Sequence, residues 1–203
     1  MRFPLSLTST MIGYIGKKKI TGKKKFPLVL MLEPLHACNL TCTGCGRIRE
    51  YSQTIKDKLS VEECMVSVDE AAAPIVSICG GEPLIYPEIG RLVKEILDRR
   101  KHIYLCTNGV FLEKKLDQFK PSDRFFFNVH LDGMEATHDL MVEREGVFKA
   151  AVEGIKAAKK AGLPTKKSPA KFAPNDMRAK VCKSGEFKDL ISKKTPNAAQ
   201  KSF

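Results

Sequence analysis

Apolar positions between residues 26 and 164 follow two alternating patterns. Leu28-Val29-Leu30-Met31-Leu32 is an unbroken apolar run and predicts a strand buried on both faces. From Ser60 the period changes. Val61, Cys64, Met65 and Val68 recur at three and four, and Ser60 with Glu63 forms a capping box, so a helix starts there. Ile75 to Cys79 is again strand-like, and after Pro87 the residues Ile89, Leu92, Val93, Ile96 and Leu97 share one helical face. Ile103 to Cys106 predicts a third strand, followed by a short helix near Leu112 to Phe119, and Phe125 to Leu131 predicts a fourth. Val147, Phe148, Ala151, Val152, Ile155 and Ala158 line a helix that Gly162 can cap. Four strand–helix units in this order predict an α/β fold with a parallel sheet wrapped by helices.

The flanks do not share this grammar. Residues 1–25 read as a basic leader, 26–164 as the core, and 165–203 as a basic, disordered tail rich in Lys, Pro, Asn and Ser with neither helical nor strand period. Net charge is +12, divided as +7 in the leader, −2 in the core and +7 in the tail. The basic excess therefore belongs to the two ends. Single-stranded nucleic-acid binding is disfavoured, because the lysine runs lack interleaved stacking aromatics. Apolar stretches such as Phe26 to Leu32 stop short of the roughly 18 residues that cross a bilayer, and no secretory signal is legible, which points to the reducing cytoplasm. Seven cysteines, three of them between positions 38 and 45, then read as ligands or reactive thiols before disulfides.

Candidate chemistry sits where strands end. Cys38, Cys42 and Cys45 stand at C-x3-C-x2-C directly after the first strand. Three thiolates can hold three irons of a cubane cluster and leave the fourth open to a chelating small molecule. A structural zinc site is the alternative and needs a fourth ligand such as His36. The second strand ends in Gly80-Gly81-Glu82-Pro83: the glycines allow close backbone approach to a ligand, and the carboxylate can hold an ammonium group. Thr107-Asn108-Gly109 ends the third strand and His130-Leu131-Asp132-Gly133 the fourth. All four sets follow the carboxyl ends of strands, the face on which parallel α/β barrels build their sites.

This combination resembles the radical S-adenosylmethionine (SAM) superfamily over residues 26 to about 164. The resemblance implies a partial (β/α) radical SAM barrel with about four of the usual six strand–helix units. Cys38, Cys42 and Cys45 would ligate a 4Fe–4S cluster whose open iron is chelated by SAM. Gly80, Gly81 and Glu82 would hold its methionine end, Asn108 would lie near the ribose, and His130 and Arg144 would contact ribose or carboxylate. An external electron donor would feed the cluster, and cleavage of SAM would give a 5′-deoxyadenosyl radical. Gly44 stands where many members carry an aromatic residue. The missing fifth and sixth units read as a truncated or out-of-frame ending, with weak turnover expected from the chain as it stands.

Within the superfamily, Phe26 to Leu35, Cys38-Asn39-Leu40, Leu59 to Cys64, Tyr104 to Asn108 and Val129 to Gly133 resemble the adenosyl-hopene transferases of hopanoid biosynthesis. That resemblance implies a membrane-held hydrophobic substrate, hopene, and addition of the adenosyl radical to its exocyclic alkene. It also gives Cys106 a catalytic part, donation of a hydrogen atom to the resulting carbon radical. For the leader it implies membrane-surface contact, with Met11, Ile12, Tyr14 and Ile15 dipping into the interface and lysines meeting anionic headgroups. Two other readings stay open: a radical SAM enzyme acting on another substrate such as a peptide, and a non-catalytic iron–sulfur or zinc-binding module.

Overall fold

The computed structural model describes residues 5–42, 45 and 53–167. Strands β1 (Val29–Leu32), β2 (Ile75–Ile78), β3 (His102–Thr107), β4 (Phe125–Val129) and β5 (Thr165–Lys167) lie side by side in chain order, every neighbouring pair parallel. Helix α1 (Leu5–Ile20) precedes them, and α2 (Val61–Ala71), α3 (Ile89–Asp98), α4 (Leu112–Lys115), α5 (Glu135–Met141) and α6 (Val147–Lys160) fill the crossovers. Parallel strands joined in order by crossovers of one hand put their helices on one face of the sheet, the arrangement of a barrel wall. The expected four strand–helix units are all present.

Register explains where the core lies. Leu32, Ile78, Leu105 and Phe127 form one lateral row across β1 to β4, each 3% exposed or less. Val61, Met65 and Val68 of α2, Ile89, Leu92 and Ile96 of α3, and Ala151, Ile155 and Ala158 of α6 close over that face. The capping box is formed as expected: Ser60 Oγ accepts from Glu63 N at 3.2 Å, and Glu63 Oε2 accepts from Ser60 N at 2.7 Å, a device worth about 1 kcal/mol. Gly162 ends α6 as expected, with its N–H on Lys159 O and that of Leu163 on Ala158 O.

Three expectations are corrected. β1 is not buried on both faces: Val29 is 44% and Met31 61% exposed, because only alternate residues meet the helices and the other sheet face is the barrel interior. The leader, read from the sequence only as a basic segment, forms helix α1 over residues 5–20, with Leu7 buried and Thr10 Oγ1 3.2 Å from His102 Nε2. Nor does regular structure stop at Pro164. Thr165–Lys167 pairs with Phe127–Val129, giving the backbone of β4 a partner although the three residues carry no apolar period. The expectation of disorder for residues 168–203 lies outside the described residues.

Candidate active site

The loops after β1 and β2 are bound to each other by backbone. Cys79 N donates to Leu32 O at 2.8 Å, Gly81 N to Leu35 O at 3.1 Å and Glu82 N to Ala37 O at 2.9 Å. This side-by-side course requires the two glycines. A Cβ on Gly80, whose φ is +118°, would stand 2.5 Å from Leu35 O, and one on Gly81 would stand 1.8 Å from Ala37 O. Their first use is thus to seat the G-G-E-P turn against the cysteine loop.

Cys38 and Cys42 lie half-buried beside Leu40, Val142, Val147 and Val110. Leu40 N–H points at Cys38 Sγ at 3.4 Å, and Cys45 N donates to Cys42 O at 3.1 Å. Burial, then the charges of Cys38 and Cys45, push Cys42 up to about 11; burial likewise raises Cys38. Apolar surroundings and mutual repulsion favour neutral thiols until a cation arrives, so the set suits a positively charged metal group. Among the described residues no three His, Cys, Asp or Glu side chains converge on a point that one ion could occupy. His36, the extra ligand a zinc site would call on, has Nδ1 3.1 Å from both Thr54 O and Thr54 Oγ1. The donor set therefore fits a 4Fe–4S cluster. Gly44 lies outside the described residues.

Glu82 is 1% exposed. Its Oε1 accepts from Leu84 N at 2.9 Å and Thr107 Oγ1 at 2.6 Å, and its Oε2 from Asn108 N at 2.8 Å. Desolvation raises the carboxyl pKa against the pull of these three donors. One acceptor position remains on Oε2, where an ammonium group can add. Asn108 Nδ2 donates to Asn39 Oδ1 at 2.9 Å, and its own Oδ1 accepts from Val110 N. Among the described residues Asn39 Nδ2 is buried with no partner, a donor on the cysteine loop that a ligand at the cluster can satisfy. Neither Asn39 nor Thr107 was singled out in the sequence as a functional residue.

His130 and Asp132 form a pair on the rim, Nε2 to Oδ1 at 2.8 Å, with the His130 side chain 65% exposed. Arg144 Nη1 comes within 3.5 Å of Asn39 O, so it stands beside the cysteine loop. Asp132 N donates to Nδ1 of the fully buried His138, whose Nε2 has no partner among the described residues. Asp139 accepts from Gly146 N at 2.7 Å and Phe148 N at 2.8 Å, fixing the start of α6 under the rim.

The His130–Asp132 hydrogen bond holds the histidine above and the aspartate below their ordinary values. A raised histidine stabilises the fold below its ordinary pKa, and the benefit fades as pH rises through the folded value. A lowered aspartate stabilises above its ordinary pKa, and the benefit fades as pH falls through the folded value. The pair contributes most between about pH 4 and 6.5, and modestly, since solvent screens it. Thermal melts of His130→Ala should fall furthest below the parent near pH 5 to 6 and converge with it as pH rises through the raised histidine value. A pH-independent gap would assign the loss to packing.

On the other, interior face of the sheet, Cys106 of β3 is half-buried, with Ser77 Oγ 3.6 Å away on β2 and Asn128 Nδ2 3.6 Å away on β4. Tyr104 and Phe126, one step earlier, stack with centroids 5.5 Å apart. Neither Ser77 nor Asn128 stands in a motif; strand alternation counted from Cys106 was the signal that could have found them.

The chain matches the Radical SAM superfamily over residues 32–169. It is 29% identical over 143 residues to an AdoMet-dependent heme synthase of Methanosarcina barkeri, covering 68% of this chain and 41% of that protein. Against a GTP 3′,8-cyclase of Petrotoga mobilis it is 34% identical over 132 residues, 62% of this chain and 41% of that one. Among solved structures, Streptococcus suis SuiB bound to S-adenosylmethionine shares the fold with TM-score 0.57 and 16% identity over 82% of this chain and 38% of that chain. SuiB bound to its precursor peptide SuiA gives 0.59 and 18% over 77% and 36%. The chain thus spans about two fifths of the length of these curated relatives. With its three-cysteine loop, its G-G-E-P turn and its parallel wall of strands, the chain belongs to the radical SAM superfamily, whose cofactors are a 4Fe–4S cluster and S-adenosylmethionine.

Proposed function

We propose that this chain is the cofactor-binding core of a radical SAM transferase that adds a 5′-deoxyadenosyl group to the exocyclic alkene of a hopene. When bound, the cluster and SAM supply that group as a carbon radical. Cys38, Cys42 and Cys45 hold the cluster; the Gly80–Gly81 backbone, Glu82 and Asn108, with His130 and Arg144 on the rim, hold SAM. The observation that carries the reading is Cys106, a half-buried thiol on the interior face of the sheet beside Tyr104 and Phe126. Addition to an alkene leaves a carbon radical on the substrate that needs one hydrogen atom. At Cys106 the S–H bond breaks as the new C–H bond forms, and an external one-electron donor and a solvent proton restore the thiol. Met31, 61% exposed, and the half-buried Tyr104 offer apolar area on the same face to a polycyclic hydrocarbon.

Helix α1 supports docking on the membrane that holds such a substrate, although with a different set of residues than the sequence suggests. Tyr14 donates to Pro27 O at 2.9 Å and packs on Phe26, while Leu5, Ile12 and Ile20 face outward, 87%, 68% and 89% exposed, beside Lys17, Lys18 and Lys19. Outward aliphatics with a basic end suit an anionic interface. Among the described residues no helix is long and apolar enough to cross a membrane.

The test is anaerobic reconstitution with iron and sulfide, followed by SAM, dithionite and a hopene in anionic vesicles, with products read by mass spectrometry. Adenosylated hopane is expected at low turnover, with less of the reduced product per SAM consumed in Cys106→Ala. Formation of 5′-deoxyadenosine without any adenosylated hopanoid would point to a different substrate.

A further inference from the structure

We infer that Asn128 and Ser77 are positioning residues that hold the Cys106 thiol from two sides; their part in hydrogen delivery rests on the reading of Cys106 given above. Asn128 is the in-register neighbour of Cys106 on β4, and Ser77 flanks it from β2, one step nearer the strand start. Their atoms lie 3.6 Å from the sulfur on opposite sides. An amide N–H can only donate, so the sulfur is the acceptor toward Asn128, and the thiol hydrogen must point elsewhere, to Ser77 Oγ or into the barrel. Ser77 is 9% exposed, and the same face carries Ile75, Tyr104 and Phe126. A hydroxyl and an amide on an apolar face cost free energy unless they are hydrogen-bonded, and the sulfur is a partner common to both. Together they fix the side-chain torsion of Cys106. A thiol fixed in this way delivers its hydrogen from one direction, which matters because a small misplacement of a reacting group costs large factors in rate.

The test begins with the full metal-free chain under reducing, anaerobic conditions. Cys106 is labelled with N-ethylmaleimide and quantified by peptide mass mapping, with Cys79, on the neighbouring strand, as internal reference. An N–H aimed at sulfur stabilises the anion that attacks the reagent. Labelling of Cys106 relative to Cys79 should slow about fivefold or more in Asn128→Leu, which keeps the volume and loses the donor, and further in Asn128→Asp, which turns an acceptor on the sulfur. Asn128→Gln, which keeps the amide, should recover at least half of the loss, and Ser77→Ala should shift the rate independently of Asn128. Wild-type labelling rates in folded Asn128→Leu and Asn128→Asp would overturn the proposal. A second arm follows the cluster-loaded chain with a hopene. Reduced product per SAM consumed should drop about fivefold in Asn128→Leu. If Cys106→Ala leaves that ratio unchanged, Cys106 is not the donor, and the labelling result still decides whether Asn128 and Ser77 hold the thiol.

Discussion

Gly81→Ala should strongly destabilise the fold. Its Cβ would stand 1.8 Å from Ala37 O, 2.3 Å from Ala37 C and 2.5 Å from His36 O, all of them backbone, so no side-chain rotation relieves the clash. The G-G-E-P turn must move off the cysteine loop, breaking the Gly81 N to Leu35 O and Glu82 N to Ala37 O hydrogen bonds. Overpacking and two lost buried bonds together cost about 3–5 kcal/mol, a large part of the roughly 5–15 kcal/mol that stabilises a domain. A fall in melting temperature of about 10 °C or more is expected for the metal-free chain by calorimetry. Gly13→Ala, in α1 with nothing within 4 Å, should leave it unchanged or slightly raised. An unchanged midpoint in Gly81→Ala would mean that the two loops are not seated on each other.

Cys42→Ala should abolish cluster assembly while leaving the fold intact. The side chain is half-buried at the edge of a small apolar group, so the loss of one sulfur costs little packing. It leaves only Cys38 and Cys45 of the three ligands. After anaerobic reconstitution the visible absorption of the cluster and its response to SAM should disappear, with the thermal midpoint of the metal-free chain within a few degrees of the parent. One equivalent of zinc and no iron uptake in the unaltered chain would instead identify a structural metal site.

How far the sequence reveals this molecule depends on whether a feature is local. The capping box at Ser60 and Glu63, the α3 face from Ile89 to Leu97 and the stop at Gly162 are written within a few residues, and each is formed. The run at Leu28 to Leu32 misleads because apolar residues in sequence do not say whether a sheet has something packed on its second face. Helix α1 is hidden for a related reason: Leu5, Ile12 and Ile20 point outward, so its apolar pattern does not mark a buried stripe. β5 has no pattern at all in Thr-Lys-Lys and exists because β4 offers it a backbone edge. The same division runs through the site. The cysteine spacing is local and legible, whereas the Asn39–Asn108 amide pair spans 69 residues and the contact of Asn128 with Cys106 spans 22. Glu82 was legible as important, but its buried bonds to Thr107 and Asn108 appear only once two strands are laid side by side.

Those bonds also bear on how such a site can change over generations. Asn39 of the first loop, Glu82 of the second and Asn108 of the third each satisfy a polar atom of another, with Glu82 buried and the two asparagines half-buried. Importing one of these loops from a related protein would strand a buried donor or acceptor on the two that remain, at a cost of about 1–3 kcal/mol for each orphaned group. The unit that can be exchanged is therefore the trio. The strands and helices beneath can drift one residue at a time, but a change in one of the three loops should call for matching changes in the other two.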